Sequence, residues 1–247
     1  MNYGPASKYY DLFGSKDDIT FYRELAVKHG RRALELGVGT GRVAIELSKA
    51  GVMVLGIDSS RYMLNVARNR LEKQDASIRR LVTLKQRDMR NFRLKERFPF
   101  AYLASATFEH CVTTEDQHTC LTNVINALEK EGVLAFDISQ PTPGKPESSW
   151  HIDRAETGRG EEVVRTIFSR RNPQTNIVSV NLFFDVYREG KLKERYHELG
   201  EAKISSRKEV ESLLQKIGFC INKIYGDFSK ANHSKSSPST IFVVTRR

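Results

Sequence analysis

Three glycines at alternate positions mark the part of this chain whose residue types could bind a ligand. Residues 34–41 read Leu-Glu-Leu-Gly-Val-Gly-Thr-Gly, an apolar strand that runs into a glycine loop, and a helical pattern begins at Arg42. Without side chains at Gly37, Gly39 and Gly41, the backbone can bend tightly and touch a flat ligand. The helix start adds free N–H groups. The sequence therefore predicts a nucleotide-binding loop.

The spacing of the glycines and the acidic residue before them narrow the choice of ligand. A dinucleotide loop reads G-x-G-x-x-G and a P-loop carries Gly-Lys-Ser/Thr, and the loop has neither pattern. Glu35 instead precedes the first glycine. A carboxylate there repels a pyrophosphate, but it attracts an ammonium group such as that of S-adenosylmethionine (SAM). In this segment the chain resembles the class I SAM-dependent methyltransferases, whose first motif is an acidic residue followed by G-x-G-x-G.

Two more acidic residues follow predicted strands at the spacing of that family. The nearly continuous apolar run from Val52 to Ile57 is typical of a buried parallel strand, and Asp58 follows it directly. A carboxylate at this place can accept hydrogen bonds from both ribose hydroxyls. A third strand, Leu81 to Gln86, leads into Asp88 and Met89. The resemblance implies that Asp88 accepts a hydrogen bond from the adenine amine and that Met89 covers the ring.

The resemblance implies SAM as the cofactor and S-adenosylhomocysteine as the product. Taken singly, an Asp after a strand is more often a helix cap, but the order and spacing of all three acidic residues favour SAM binding. The residues predicted to bind the cofactor are Glu35, Gly37, Gly39, Gly41, Asp58, Ser59, Asp88, Met89 and Ser105.

A narrower resemblance concerns the acceptor of the methyl group. The segments Tyr10 to Phe13 and Asp88 to Leu94, together with an insertion between residues 139 and 205, resemble small-molecule N-methyltransferases that act on amino groups of deoxysugars and related natural-product amines. In that family an aromatic hydroxyl of the first helix closes over the sulfonium, which places this role on Tyr10. A residue beyond the fourth strand faces the acceptor, which places His110 there. The chain departs from the family at Glu109, where the relatives tend to have a small residue.

Tyr10 and His110 are therefore the predicted catalytic residues. His110 could take a proton from an amine or orient its lone pair, and Tyr10 could hydrogen-bond the developing ammonium or lie over the sulfonium. Each also has a purely structural interpretation. Tyr10 could be a core aromatic residue, and His110 could be a histidine bonded to backbone at a helix start. No metal site is predicted, because the three cysteines form no C-x-x-C pair.

The alternation of strands and helices predicts a doubly wound α/β fold with a mostly parallel, seven-stranded sheet. Its predicted strands are Arg32 to Leu36, Val52 to Ile57, Leu81 to Gln86, Phe100 to Ala104, Val133 to Ile138, Phe219 to Tyr225 and Thr240 to Thr245. The predicted helices are Ile19 to Lys28, Arg42 to Lys49, one capped by Ser59 or Ser60, Glu115 to Leu128, and one from Ser206 to Lys216.

An insertion interrupts this pattern between residues 139 and 205. A Pro-rich loop is followed by three alternating stretches, which are Glu162 to Arg171, Asn176 to Tyr187 and Lys191 to Ile204, with a hairpin turn at Arg188-Glu189-Gly190. We expect an antiparallel flap of three strands that roofs a substrate pocket or joins two subunits into a homodimer. The whole chain, 1–247, is expected to be one domain with a helical cap over 1–30 and the flap over 139–205.

The amino-acid composition limits the kinds of binding partner that the sequence predicts. The net charge is +10, and much of the excess lies between Arg61 and Arg97. A solvated basic face is favoured over a nucleic-acid groove, because no aromatic ladder accompanies it. A nucleic-acid methyltransferase remains an alternative, although the tetrad of adenine methylases and the Pro-Cys of cytosine methylases are missing. A SAM-binding protein without turnover is the other alternative. The sequence has no apolar run long enough for a membrane span and no signal-peptide layout, so we expect a cytoplasmic protein.

Overall fold

The computed structural model of the protein describes residues 3–140 and 147–247. Its α-helices are α1 (Asp18–Lys28), α2 (Arg42–Lys49), α3 (Arg61–Glu72), α4 (Ala76–Arg79), α5 (Thr114–Ala127) and α6 (Arg207–Ile217), and Pro5–Leu12 and Thr107–His110 form 3-10 helices. Its strands are β1 (Arg32–Leu36), β2 (Met53–Asp58), β3 (Val82–Gln86), β4 (Phe98–Leu103), β5 (Leu128–Ser139), β6 (Ser148–Glu156), β7 (Glu162–Arg171), β8 (Ile177–Arg188), β9 (Lys191–Lys203), β10 (Phe219–Tyr225) and β11 (Ser239–Arg246). Among the described residues, no helix combines the length and apolar character that a membrane span requires.

Seven strands form the central sheet in the order β10-β11-β5-β4-β1-β2-β3. Within this sheet β11 runs against both of its neighbours, and the other pairs are parallel. The predicted mostly parallel, seven-stranded sheet is thereby confirmed. Leu36 of β1 pairs with Ile57 of β2, and Asp58 pairs with Gln86 of β3. This register brings the glycine loop, Asp58 and the segment after β3 to one edge of the sheet.

Helices cover both faces of the sheet because its inner strands are apolar on both sides. Leu34 of β1 is fully buried against Leu121 of α5 and Leu214 of α6 on one face. Ala33 of β1 is fully buried in a second cluster that contains Tyr22 of α1 and Leu47 of α2. The two cores hold the sheet rigidly, so that its carboxyl edge can position a site. Thr114 rather than Glu115 starts α5, and β5 begins five residues before the predicted Val133.

The flap differs from its prediction by one strand. Residues 148–156 form β6, which pairs antiparallel with β7, so the second sheet has four strands in the order β6-β7-β8-β9. The interpretation of this segment as loop was wrong, because β6 is an exposed edge strand without the buried apolar alternation of its neighbours. The predicted hairpin is confirmed, since Glu189 and Gly190 both have positive φ, 52° and 70°. Residues 141–146 of the predicted flap lie outside the described residues.

The N-terminal 3-10 helix lies between the flap and the central sheet. Ala6 and Tyr9 are buried in a third apolar cluster together with Leu182 and Phe184 of β8. The buried carboxylate of Glu198 on β9 accepts hydrogen bonds from the backbone N–H groups at positions 4 and 6, both at 3.0 Å. The predicted helical cap is therefore a short 3-10 helix fixed to the flap, followed by α1.

Candidate active site

The glycine loop has the tight bend that its sequence predicts. Gly37, Gly39 and Gly41 all lie in the left-handed region, with φ of 70°, 54° and 73°. The N–H groups of Gly37 and Val38 donate to the carbonyl oxygen of Ile57 on β2, at 2.8 and 3.0 Å. A Cβ at position 37 would lie 2.4 Å from Cγ2 of Thr107, so the loop also packs closely on the segment after β4. Bare backbone is therefore required there for packing as well as for conformation.

A cavity of about 900 Å³ opens above this loop. That volume is at the upper end of the range for small-molecule and cofactor sites. Ten of the eleven predicted site residues line it, which are Tyr10, Glu35, Gly37, Gly39, Asp58, Ser59, Asp88, Met89, Ser105 and His110. Gly41 does not line the cavity. It precedes α2, and a Cβ there would lie 3.2 Å from Cβ of Ala67 on α3, so its place in the fold is helix packing.

Asp58 fastens the glycine loop to the start of α3. Its Oδ2 accepts from the N–H of Gly39 at 2.9 Å, and its Oδ1 accepts from the N–H of Ser60 at 2.8 Å. Of the two predicted capping serines it is Ser60 that caps α3, accepting from the N–H of Met63 at 3.2 Å. Burial raises the pKa of Asp58. Each carboxylate oxygen has a second lone pair, so the residue can still accept ligand hydroxyls.

Glu35 lies on the cavity wall within a nearly dry environment. Its side chain is buried, and Oε2 accepts from the hydroxyl of Tyr102 at 2.9 Å. Burial raises the pKa of Glu35 to about 8, so the free carboxyl group is mostly protonated near neutral pH. A cation placed beside it would lower that pKa again. This is the behaviour expected of a partner for the ammonium group of an amino acid.

Asp88 has a partner that the sequence did not predict. Arg90 donates to its two carboxylate oxygens, from Nε to Oδ1 at 3.0 Å and from Nη2 to Oδ2 at 2.7 Å. The Arg90 side chain lowers the pKa of Asp88, and the residue is therefore a carboxylate. Asp88 and Met89 both line the cavity, as the adenine segment requires. The two-residue spacing of Asp88 and Arg90 was the sequence signal that could have predicted this ion pair.

Arg42 is a cavity residue that sequence reasoning missed. Its guanidinium binds both oxygens of the buried Asp18 at 2.6 Å and donates to the hydroxyl of Ser105 at 2.8 Å. The pair ties α2 to α1 and orients the predicted cofactor residue Ser105. A cation in the first turn of a helix is electrostatically unfavourable, so Arg42 directly after the glycine loop was a signal for a specific carboxylate partner.

Asp137 supports the cavity wall from behind. It accepts from the hydroxyl of Tyr22 and from the N–H of Ala106, both at 2.8 Å. Ser105 and Ala106 have φ of 58° and 53°, a conformation that non-glycine residues rarely adopt. Burial raises the pKa of Asp137 to about 6. An Asp inside the apolar run of β5 was the sequence signal for this buried support.

The two predicted catalytic residues both line the cavity, and each contacts the ring of Tyr3. His110 ends the second 3-10 helix, and its Nδ1 lies 3.3 Å from the carbonyl oxygen of Glu201 on β9. Burial lowers the pKa of His110 to about 4, so its imidazole is neutral. The ring of Tyr3 lies between them, with its centroid 5.2 Å from that of Tyr10 and 6.4 Å from that of His110. Burial also raises the pKa of Tyr10, which keeps its phenol neutral.

Glu109, the predicted departure from the family pattern, points away from this cavity. It is buried, and its Oε1 accepts from the N–H of Ser139 at 2.6 Å. Burial raises the pKa of Glu109 to about 7. The side chain therefore fixes the end of β5 where the flap begins, and it is not among the cavity residues.

Comparison with known proteins relates this chain to methyltransferases. The family model described as a methyltransferase domain matches residues 33–132, which span the glycine loop, Asp58 and Asp88. YqeM of Bacillus subtilis (strain 168), named as a methyltransferase, is 26% identical over 97% of this chain and 94% of its own. The solved structure of CalS10 from Micromonospora echinaspora, an amino pentose methyltransferase with SAM bound, superposes with a TM-score of 0.75. The match over residues 33–132 thus identifies a methyltransferase domain in this chain.

The structural likeness extends over the whole chain and shows a shared fold. CalS10 is 18% identical and matches 100% of this chain and 98% of its own. The CcbJ methyltransferase from Streptomyces caelestis has a TM-score of 0.84 at 21% identity, over 100% of this chain and 99% of its own. The doubly wound methyltransferase fold with its flap is therefore the architecture of this protein.

The residues that line the cavity have the chemical groups that SAM binding requires. Gly39 lines the cavity, and a Cβ there would meet no atom closer than 3.9 Å, so this part of the backbone lies open to a ligand. Asp58 offers acceptors for hydroxyls beside it, and the protonated Glu35 marks a place where a cation is favoured. The donor and acceptor set thus matches a ribose and an ammonium group.

Proposed function

We propose that this methyltransferase transfers the methyl group of SAM to the nitrogen of a small-molecule amine. The observation that carries the proposal is the charge of the roof of the cavity. The roof residues on β8 and β9 are Ser179, Val180, Asn181, Leu199, Gly200 and Glu201. Glu201 has the one charged side chain among them. Glu201 is solvent exposed, so its carboxylate acts at the mouth of the cavity, where it attracts a protonated amine and repels phosphate or carboxylate acceptors.

His110 can then orient the amine without taking its proton. A carbonyl oxygen only accepts, so Nδ1–H of His110 donates to Glu201 and leaves Nε2 as an acceptor. Because the pKa of His110 is lowered to about 4, proton transfer from an amine to this imidazole is strongly unfavourable. Of the two predicted roles, we therefore favour orientation of the amine lone pair through an N–H···Nε2 hydrogen bond.

Tyr3 and Tyr10 close the cavity on the side of the N-terminal segment. Both are neutral phenols, because burial raises the pKa of Tyr3 and of Tyr10. Their rings exclude water, and the ring of Tyr10 can stabilise a positive charge through its face. Tyr10 thereby keeps the role that the family resemblance implies.

The chain needs little acid–base chemistry for this reaction. Bound SAM supplies a methyl group that its positively charged sulfur already activates. The residues of the chain bind and align the partners and exclude water, which is how proximity lowers the barrier. An amine that arrives protonated first loses a proton to solvent. In the in-line displacement, the lone pair of the neutral amine then forms the N–C bond as the C–S bond breaks. S-adenosylhomocysteine is released, and the nitrogen then loses its proton to solvent.

The relatives support an amine acceptor by analogy. CalS10, whose fold this chain shares, is described as an amino pentose methyltransferase. At 18% identity this likeness gives the fold, and the acceptor preference rests on Glu201 and His110.

The proposal is tested by pairing each candidate amine with the alcohol of the same carbon skeleton. Purified protein is incubated with SAM, and S-adenosylhomocysteine is measured by mass spectrometry. We expect product with amines only, and a raised KM for the amine in Glu201→Gln with unchanged affinity for SAM. Glu189→Gln, at the hairpin tip, removes the same charge far from the cavity and is the control. Methylation of alcohols alone, or SAM binding without turnover on any amine, contradicts the proposal.

We further propose that the chain acts as one domain and pairs through its flap as a homodimer. Trp150 and Ile152 on β6 are 67% and 62% exposed, and both lie on the sheet face opposite the third apolar cluster. Trp150 packs on Phe168 of β7 with a centroid distance of 4.7 Å, which widens the apolar area. Sedimentation analysis should show a dimer that Trp150→Ser with Ile152→Ser converts to monomer. A monomeric parent protein contradicts this.

A further inference from the structure

The positive charge of this protein is concentrated in a single stretch of the chain. Residues 61–97 contain twelve Lys and Arg against four Asp and Glu, a net charge of +8, and the other 210 residues carry only +2. This stretch comprises α3, α4, β3 and the segment up to β4. We call its exposed surface the basic face. The exposed basic residues are Arg61, Arg68, Lys73, Arg79, Arg80, Lys85, Arg87, Arg90, Arg93, Lys95 and Arg97.

Most of these cations have no anionic partner within the part of the chain that the structure describes. Arg70 pairs with Asp11, and Arg90 pairs with Asp88 and Asp116. The other ten Lys and Arg of the stretch make no salt bridge there. The protein therefore maintains a field of uncompensated positive charge, which is electrostatically costly unless a polyanion meets it.

The fold places these charges around the free edge of the central sheet, with α3 on one face of the sheet and the segment after β3 on the other. β3 is the last strand of the central sheet, so its edge faces solvent, and the inner face of α3 packs beside it through Met63, Leu64 and Ala67. Lys85 of β3, Arg79 at the end of α4 and Arg80 directly after it are all exposed. Lysine on a sheet edge blocks strand pairing between molecules. That purpose does not account for the arginines on α3 and α4, which lie off the edge.

We infer that the basic face binds the sugar-phosphate backbone of a double-helical nucleic acid. Regularly spaced phosphates are the polyanion that such a field of Lys and Arg fits, and guanidinium groups bind them with two hydrogen bonds. Single strands are normally held by stacking on aromatic side chains. The aromatic residues of the stretch are Tyr62 and Phe92, and Phe92 is buried. A duplex, held through its backbone, therefore fits better than a single strand.

A membrane surface fits the basic face less well. Proteins that lie on anionic bilayers add large apolar side chains to their cations. None of the large exposed hydrophobic residues of the described chain lies within residues 61–97; the one on the adjoining strand is Met53. The partner is thus recognised by charge alone.

The basic face reaches the rim of the active-site cavity. Arg87 and Arg90 belong to the cavity wall as well as to this face. A bound duplex would therefore lie beside the wall of the cavity that Asp88 and Met89 form. The inference concerns where the enzyme is held and does not depend on the amine acceptor of the proposed function.

Fluorescence anisotropy with labelled RNA and DNA duplexes, across about 50 to 200 mM salt, tests the inference. The variant Arg79→Glu/Arg80→Glu/Lys85→Glu reverses three charges of the basic face. The control Lys28→Glu/Lys208→Glu/Lys216→Glu makes the same change in net charge at three exposed lysines elsewhere. None of the six positions lines the cavity, so SAM affinity and turnover serve as a check on folding.

We expect the parent protein to bind duplexes with little sequence preference and with a steep salt dependence. The basic-face variant should lose at least about tenfold in affinity and show a shallower slope of log K against log salt, by about 0.9 for each phosphate contact removed. The control variant should keep both. Equal loss in the two variants, tighter binding of single strands, binding to phosphatidylglycerol vesicles in place of duplexes, or no binding at low salt would overturn the inference.

Discussion

Proton release on SAM binding is the sharpest test of Glu35. Burial raises the pKa of this carboxyl group to about 8, and Tyr102 is its hydrogen-bond donor. Near pH 7 about nine molecules in ten then carry a proton on Glu35. If Glu35 receives the ammonium group, its pKa falls below neutral and that proton leaves. Removing it at pH 7 costs about 1 to 2 kcal/mol of the binding free energy.

The ligand adds a smaller effect of opposite sign. An α-amino group has a pKa of about 7.7 to 8.0, so about 0.1 to 0.2 of it is neutral near pH 7 and takes up a proton on binding. The parent protein should therefore release about 0.7 to 0.8 proton for each SAM bound. Glu35→Gln should release none and take up about 0.1 to 0.2.

Isothermal titration calorimetry in buffers with different ionisation enthalpies measures this number directly. The slope of the observed binding enthalpy against the buffer's ionisation enthalpy is the number of protons exchanged. Glu109→Gln is the matched control, because burial also raises the pKa of Glu109, to about 7, but its side chain lies off the cavity. A slope that is the same in the parent and in Glu35→Gln refutes the assignment of the ammonium group to Glu35.

Four further predictions use other parts of the site. Asp58→Ala should weaken SAM binding by about 1.5 to 3 kcal/mol for each lost hydrogen bond to the charged acceptor, and unchanged affinity in calorimetry would remove Asp58 from the site. Gly37→Ala should lower thermal stability, because its Cβ would meet Cγ2 of Thr107 at 2.4 Å at a φ of 70°. Adding Thr107→Ser should recover part of the loss; no recovery means that the contact is not the cause. Glu198→Ala should speed hydrogen exchange in residues 4–12, since two buried N–H groups lose their acceptor, and unchanged exchange contradicts that anchor. For Glu109, the folded pKa of about 7 exceeds its unfolded value, so the folded state binds more protons and stability falls as pH rises from about 4.5 to 7. Urea unfolding of the ligand-free protein should show this fall, and Glu109→Gln should flatten it by at most about 1.4 kcal/mol per pH unit.

The cofactor half of the site was predictable because its signals are local. Continuous apolar runs identify parallel strands, and the carboxyl ends of parallel strands meet at one edge of the sheet. The sequence therefore predicts the tight bend at the glycines at positions 37 and 39. It also predicts that Asp58 lies at the same edge of the sheet. The structure adds that Asp58 accepts hydrogen bonds from the N–H groups of both Gly39 and Ser60. The spacing of these residues in the sequence does not predict those bonds.

The acceptor half was less predictable because it depends on contacts between distant residues. The neutral state of His110 comes from burial beneath β9, about ninety residues further along the chain. The pair of Arg42 and Asp18 joins two helices, and although a cation at the start of α2 indicates a carboxylate partner, no local pattern identifies Asp18 as that partner. β6 escaped prediction because both of its faces are exposed, so burial left no alternation in its residue types.

The N-terminal segment connects the two halves of the site. On the cofactor side, the hydroxyl of Ser60 donates to the carbonyl oxygen of Tyr3 at 2.6 Å, and the hydroxyl of Thr40 donates to Asp11 at 2.9 Å. On the roof side, Glu198 accepts the N–H groups at positions 4 and 6. Ser60 follows Asp58 closely and Thr40 lies in the glycine loop, so both supports adjoin groups that are predicted to bind SAM. Loss of Glu198 from the roof should therefore weaken the binding of SAM as well as that of the acceptor, although Glu198 touches neither.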